Sequence, residues 1–275
     1  MPGYDLHIHT NASDGVYNTE DIVKIAMKAG LEGIAITDHD TFQGLENINI
    51  LSKKYNFPII PGIELSTYYQ NNEIHILGYL MEYGQSWFSD KLSELQNDRR
   101  TRILRMIDKL NELGYDVEKK EVLTAAGSGS IGRPHIAYVL LQKGYITSIQ
   151  EAFRKLIGEG CPAYIPRKKL SPVDAIVMIK KAGGIPVMAH PGLSKSDNLV
   201  STLIEHGLRG LEVFHPDHQP TDEKKYMQIA MQNELIITGG SDFHGHKMGT
   251  RFSLGSKTVP ACIVNTLLLE KKIPH

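Results

Sequence analysis

The sequence predicts an α/β barrel interrupted by a helical insertion. Three observations carry this. Short apolar runs alternate with amphipathic stripes over residues 1–83 and again over 164–275. Between them, residues 84–163 lose that rhythm and read as helix throughout. His, Asp and Glu recur where the predicted strands end.

The elements follow in order. Tyr4-Asp5-Leu6-His7-Ile8-His9 alternates, so a strand there places Leu6 and Ile8 on one face and His7 and His9 on the other. Thr19 is placed to cap a helix carrying Ile22, Ile25, Ala26 and Ala29 on one stripe and ending at Gly30. Residues 33–37 read as a buried strand, residues 43–54 as a second helix, and 57–61 as the next strand. The polar run Gln70-Asn71-Asn72-Glu73 reads as a hairpin turn before the strand IHILGY. Leu92, Leu95, Ile103, Ile107 and Leu110 suggest long helices broken at Gly114 and over 127–132. The strand–helix rhythm resumes at Ser171-Pro172, a cap followed by proline at the first helical position. Strands follow near 185–189, 210–214 and 235–239, so about seven strands alternating with helices point to a parallel barrel.

Composition narrows the partners. A net charge of −1 over 275 residues gives no global basic footprint for duplex DNA. Cys161 and Cys262 form neither a disulfide framework nor a CxxC site, which fits a reducing compartment. No apolar run reaches membrane-spanning length and MPGYDLHIHT lacks a signal-peptide layout, so a cytoplasmic protein without a membrane partner is expected. The twelve histidines are the unusual entry in the composition.

Those histidines cluster. Barrel proteins carry their functional groups at the C-terminal strand ends, and here those positions read DLHIHT, TDHDT, GIEL, AHP, EVFHPDH and GSDFHG. Carboxylates and neutral imidazoles together suit a divalent transition metal. Taken singly, His7 and His9 fit the solvated end of an edge strand, His75 a hydrogen-bonded core histidine, and His190 a turn residue before Pro191. Their order within the whole set favours ligation. His206 and His275 are expected in solvent, and His246 in a loop.

With DLHIHTNASDG, TDHDT, GIEL, IHILGY, AHP and GSDFHG in this order, the chain resembles the PHP (polymerase and histidinol phosphatase) family of metal-dependent phosphoesterases over residues 3–83 and 164–256. The resemblance implies a distorted seven-stranded (β/α) barrel holding three divalent ions, manganese first, with iron or zinc as alternatives. It implies nine ligands. His7, His9, Glu64 and Asp242 would hold one ion; Glu64 would bridge to a second, completed by His75 and His190; Asp14, His39 and His244 would hold the third. A hydroxide shared by two ions would attack phosphorus, with Asp14, His39, Glu64 and His218 as the catalytic set.

The insertion addresses the substrate. GRPHIA offers Arg133 and His135, and a guanidinium forks onto phosphate oxygens. Arg99 and Arg100 are expected on a solvated helix face, and Arg167-Lys168-Lys169 as a loop charge cluster. GRPH resembles the family branch that removes the 3′-phosphate from nucleoside 3′,5′-bisphosphates, some members of which trim short RNA from the 5′ end. In that branch Arg133 and His135 would grip the second phosphate and His218 would face substrate, while His215 receives no role. The alternatives are a 5′-3′ exoribonuclease on short 5′-phosphorylated RNA, a histidinol-phosphate phosphatase, and a non-catalytic metal-stabilised module. Trp87, Tyr115, Tyr138 and Tyr145 are the insertion's candidate stacking aromatics.

Overall fold

The computed structural model describes residues 3–70, 72–127, 131–166, 170–194, 196–245 and 252–272. Seven strands form one sheet whose spatial order is the chain order: β1 (Tyr4–Asp5), β2 (Gly33–Ile36), β3 (Ile59–Tyr69), β4 (Asn72–Tyr79), β5 (Ile185–Met188), β6 (Gly210–Phe214) and β7 (Ile236–Gly239). The sheet curls on itself. Leu6 N–H donates to the Gly239 carbonyl at 3.2 Å and Ile8 bridges Phe243, which joins the β7 end to the β1 end and makes a distorted barrel.

The expected all-parallel order needs one correction. β4 runs antiparallel to both β3 and β5. The cause is the polar hairpin: Gln70 takes a left-handed φ of 46°, so β3 turns straight back into β4 without a crossover helix.

Helices cover the outside: α1 (Thr19–Lys28) and α2 (Ile48–Tyr55) in the first half; α7 (Pro172–Lys181), α8 (Pro191–Ser194), α9 (Leu199–Glu205), α10 (Pro220–Gln232) and α11 (Ala261–Glu270) in the second. Asn18 caps α1, its side chain accepting from Asp21 N–H at 2.9 Å, whereas Thr19 is the first helical residue and donates to the Gly44 carbonyl. The second helix is shorter than expected, with a single 3₁₀ turn at Gln43–Leu45 preceding it. Ser171 caps α7 as its sequence indicates.

Strand alternation decides what faces where. On β3, Ile63 and Leu65 enter the core beneath α7 and α9, while Glu64 and Ser66 take the opposite face. Leu6, Ala35, Ile60, Leu77, Val187 and Ile236 pack with Val264 and Leu267 of α11 in a second core.

Between β4 and β5 come α3 (Ser86–Glu112), α4 (Lys119–Ala126), α5 (Arg133–Gln142), α6 (Ile149–Ala152) and a π-helical turn at Phe153–Ile157. The first half of α3 buries Phe88, Leu92 and Leu95 in the barrel's outer core. Its second half buries Ile103, Met106, Ile107 and Leu110 in a separate core shared with α4 and α5. One helix therefore ties two cores together.

Candidate metal centre and the cavity beside it

At one mouth of the barrel the strand ends present a cage of imidazoles and carboxylates. Three groupings have ligand atoms within 4.8 Å of one another: His7, His9, Glu64 and Asp242; His9, Asp14, His39 and His244; and His39, Glu64 and His75. His190 Nε2 lies 3.1 Å from Glu64 Oε1, on the side where His75 Nδ1 meets the same oxygen at 2.8 Å. All nine expected ligand positions thus converge. His75 joins the others because the antiparallel β4 brings its beginning, not its end, to this mouth.

Buried polar atoms without a hydrogen-bond partner concentrate here: His7 Nε2, both ring nitrogens of His9, Asp14 Oδ1, His39 Nδ1, Glu64 Oε2 and His75 Nε2. An unsatisfied buried polar group is costly, and so many converging in one cage fit divalent cations. Charge agrees. Burial alone would raise the Glu64 carboxyl, but His75, His39 and His7 override it and hold it well below the usual range. Asp14 and Asp242 are lowered in the same way by surrounding histidines. Against burial, Glu64 and Glu73 lift His75 to about 10, and Asp14 and Asp242 lift His244 to about 10, so protons occupy places suited to cations.

Hydrogen bonds sort the histidines by what each ring can offer. His7 Nδ1–H donates to Glu212 Oε1 at 2.9 Å, and His244 Nδ1–H donates to the Asp242 carbonyl at 2.9 Å; each leaves Nε2 as the atom facing the cage. His135 does the reverse. Its Nδ1 accepts from Gly132 N–H at 2.9 Å, which puts the ring proton on Nε2 and makes it a donor. His215 Nδ1 likewise accepts from Asp217 N–H at 3.2 Å, and its buried Nε2, without a hydrogen-bond partner, stands 3.6 Å from Asp242 Oδ2. In His218 both nitrogens are taken: Nδ1–H donates to the Val213 carbonyl at 2.8 Å and Nε2 accepts from Gly192 N–H at 3.1 Å. The position the sequence favoured for substrate contact therefore holds the backbone of α8, and His215, left without a role, is the ring at the cage.

Buried carboxylates fix the loops that carry the ligands. Asp38 accepts from Thr10 N–H, Thr10 Oγ1 and Ser13 Oγ, pinning the turn that delivers Asp14. Asp5 accepts from Ser241 N–H and Oγ and from Gly255 N–H, pinning the turn that delivers Asp242. Glu212 Oε2 accepts from His190 N–H at 2.8 Å. Backbone strain is stored in the same places: Asp40, His190 and Asp242 have φ of 51°, 27° and 51°. Gly240 permits the approach of the β7 end, since a Cβ there would lie 2.4 Å from His7 N.

A cavity of about 170 Å³ opens beside the cage, lined by Asp14, His39, Ser66, Glu73, His75, Arg99, Arg102, Arg133 and Phe153 among others. Arg133 lines it, paired with Glu73 at 2.7 Å and resting over the Phe153 ring at 5.3 Å. His135 is buried at the start of the same helix. Arg99 corrects the sequence reading. It is not on a solvated face but turned inward, its Nη2 bonded to Asp40 Oδ2 and Ser66 Oγ, both at 2.7 Å. Arg100 is exposed, as is His206. None of the four expected stacking aromatics lines the cavity; Tyr115 and Tyr145 pack edge-on against each other and Trp87 stacks on Phe88. Arg167, Lys168, Lys169, His246 and His275 lie outside the described residues.

A mixed seven-stranded barrel with this cage at one mouth is suited to metal-dependent hydrolysis, and the comparisons give its lineage as a metal-dependent phosphoesterase. Residues 5–160 match the PHP domain, so the chain belongs to the PHP family. It is 32% identical over 245 residues to a phosphoribosyl 1,2-cyclic phosphate 1,2-diphosphodiesterase of Eggerthella lenta, covering 88% of this chain and 94% of that one. It is 32% identical over 250 residues to the 5′-3′ exoribonuclease Rnm of Salmonella typhimurium, covering 88% and 85%. It is 28% identical over 263 residues to a 3′,5′-nucleoside bisphosphate phosphatase of Chromobacterium violaceum, covering 91% and 90%. A crystal structure from Bifidobacterium adolescentis, assigned as a metal-dependent phosphoesterase, superposes with a TM-score of 0.90 at 30% identity, covering 98% of this chain and 96% of that one. No helix among the described residues is long and apolar enough to cross a membrane.

Proposed function

We propose that the protein removes the 3′-phosphate from nucleoside 3′,5′-bisphosphates, with residues 84–163 as a substrate-capping subdomain between the two parts of the barrel, 1–83 and 164–275. The observation that carries this reading is a shared cavity: Arg99, Arg102 and Arg133 line the same space as Asp14, His39 and His75. A substrate with one phosphate at the cage and another at the arginines fits that arrangement. The name of the Chromobacterium violaceum relative supports the same substrate class.

The cage would hold three divalent ions, manganese first, on the nine ligands already named. Such ions supply Lewis-acid polarisation of the phosphoryl group and an activated water. The chain's own residues do the rest. Asp14, Glu64 and Asp242 stay ionised at neutral pH and balance the charge. Glu212 fixes the His7 tautomer so that Nε2 faces inward. His215 Nε2–H, beside Asp242, is placed as a hydrogen-bond donor to a phosphoryl or leaving oxygen, and His218 positions the backbone behind it. Arg133 and His135 hold the second phosphate, Arg133 by its guanidinium and His135 through Nε2–H. We place the reaction in the cytoplasm.

The test is phosphate release by manganese-reconstituted protein from adenosine 3′,5′-bisphosphate, with adenosine 3′-monophosphate beside it. Strong preference for the bisphosphate supports the reading. Equal or absent activity on both removes it, and turnover of short 5′-phosphorylated RNA in that case would point to the exoribonuclease activity.

A further inference from the structure

One cavity residue is chemically out of place in a phosphate site. Glu73 is an acidic residue lining a cavity that it shares with Arg99, Arg102 and Arg133. Its Oε1 lies 3.5 Å from His75 Nε2, at the edge of the cage, and its Oε2 lies 2.7 Å from Arg133 Nη2. The group therefore stands between the place where one phosphate reacts and the place where the other is held. Strand geometry puts it there: Glu73 and His75 are two apart on β4 and share a face.

Carboxylate and phosphate oxygens are both acceptors, so neither satisfies the other, and a carboxylate facing a phosphate repels it. A site that bound only phosphates would be better built without Glu73. The residue makes sense if the substrate carries a hydrogen-bond donor between its two phosphates. In a nucleoside 3′,5′-bisphosphate the group between them is the sugar, and its one free donor is the 2′-hydroxyl. When a phosphate takes the Arg133 guanidinium, Glu73 Oε2 is released for another donor, while Oε1 stays beside His75 Nε2.

Resting on the substrate reading above, the geometry points to Glu73 as the acceptor for the ribose 2′-hydroxyl, and so as the residue that makes the site select ribonucleotides over deoxyribonucleotides. Arg133 then has two partners in turn, Glu73 in the free enzyme and phosphate in the complex.

Two measurements on the manganese-loaded protein test this. The first compares kcat/KM for adenosine 3′,5′-bisphosphate and its 2′-deoxy counterpart. The second compares calorimetric Kd values for the products, adenosine 5′-monophosphate and 2′-deoxyadenosine 5′-monophosphate, which involve no turnover. Both should favour ribose by about tenfold or more, as befits a hydrogen bond to a charged acceptor. Glu73→Ala should bring both ratios to about one. A native protein that treats the two sugars alike overturns the assignment. So does a Glu73→Ala variant that weakens both substrates while keeping the ratio, which would reduce Glu73 to holding Arg133. If the bisphosphate is no better than adenosine 3′-monophosphate, the substrate reading fails by itself, and the monophosphate binding ratio still decides what Glu73 recognises.

Discussion

Glu212 Oε1 accepts the Nδ1–H of His7 at 2.9 Å, and its other oxygen accepts the backbone N–H of His190 at 2.8 Å. One buried carboxylate from β6 thus orients ligands from the segment after β1 and from the turn after β5. Replacing it by glutamine keeps the shape but weakens the charge that fixes both. Glu212→Gln should bind manganese about 10- to 100-fold more weakly with far-ultraviolet circular dichroism unchanged. Chelator competition would show this, and native-like affinity would remove Glu212 from the metal-supporting set.

Glu64, like His9 and His39, belongs to two cage groupings, and it is also the partner of His75 and His190. Glu64→Gln should abolish turnover and lower bound metal per chain by more than one ion. Elemental analysis alongside the phosphate assay checks both at once. Full activity in this variant would sink the multi-ion cage.

Arg133 is tied to Glu73 rather than to any ligand of the cage. Arg133→Ala should therefore cut kcat/KM for a bisphosphate by about 10- to 100-fold and leave a plain monoester such as p-nitrophenyl phosphate nearly untouched. Equal losses on both would mean that Arg133 acts on the reacting phosphate, not on a second one.

Neighbouring arginines should behave oppositely in unfolding. Arg99 pairs with Asp40, which is wholly buried, whereas Arg100 is exposed. Removing one partner of a buried pair strands the other charge, so Arg99→Leu should cost about 3 kcal/mol. Arg100→Leu should fall within about 0.5 kcal/mol of the native protein. Urea denaturation of the two variants separates these outcomes.

Metal stabilisation should grow with pH. His75 and His244 are raised to about 10 in the metal-free cage, so both stay protonated throughout the neutral range and protons compete with cations there. Higher pH relieves that competition and strengthens binding. The Tm gap between manganese-loaded and chelator-treated protein should be wider at pH 8 than at pH 6. A gap that narrowed would show that ligation does not displace those protons.

Much of this was legible in the sequence because strand alternation is local. The regular strand ends at Asp5, short of the expected His9, yet the alternation persists beyond it: Leu6 and Ile8 enter two separate cores while His7 and His9 face the cage. The ordered His and Asp motifs at strand ends disclosed the cage for the same reason. What stayed hidden depends on proximity across the chain. Glu73 and His75 lie in EIH, an alternation that could have marked both, but nothing in it announces Arg133, 60 residues on. Arg99 reads as one of several arginines on a helix until Asp40 and Ser66 are seen beneath it. His215 keeps Nε2 for the cage while both His218 nitrogens are bonded to backbone, and three-residue spacing does not reveal that.

Asp5 grips Ser241 and Gly255, 236 and 250 positions away along the chain. The cage consequently joins ligands from the two ends of the strand order, His7 and His9 just beyond β1 with Asp242 and His244 just beyond β7. No short stretch of the chain carries the whole set of ligands, so the cage assembles only as the barrel closes, and tight metal binding is coupled to folding.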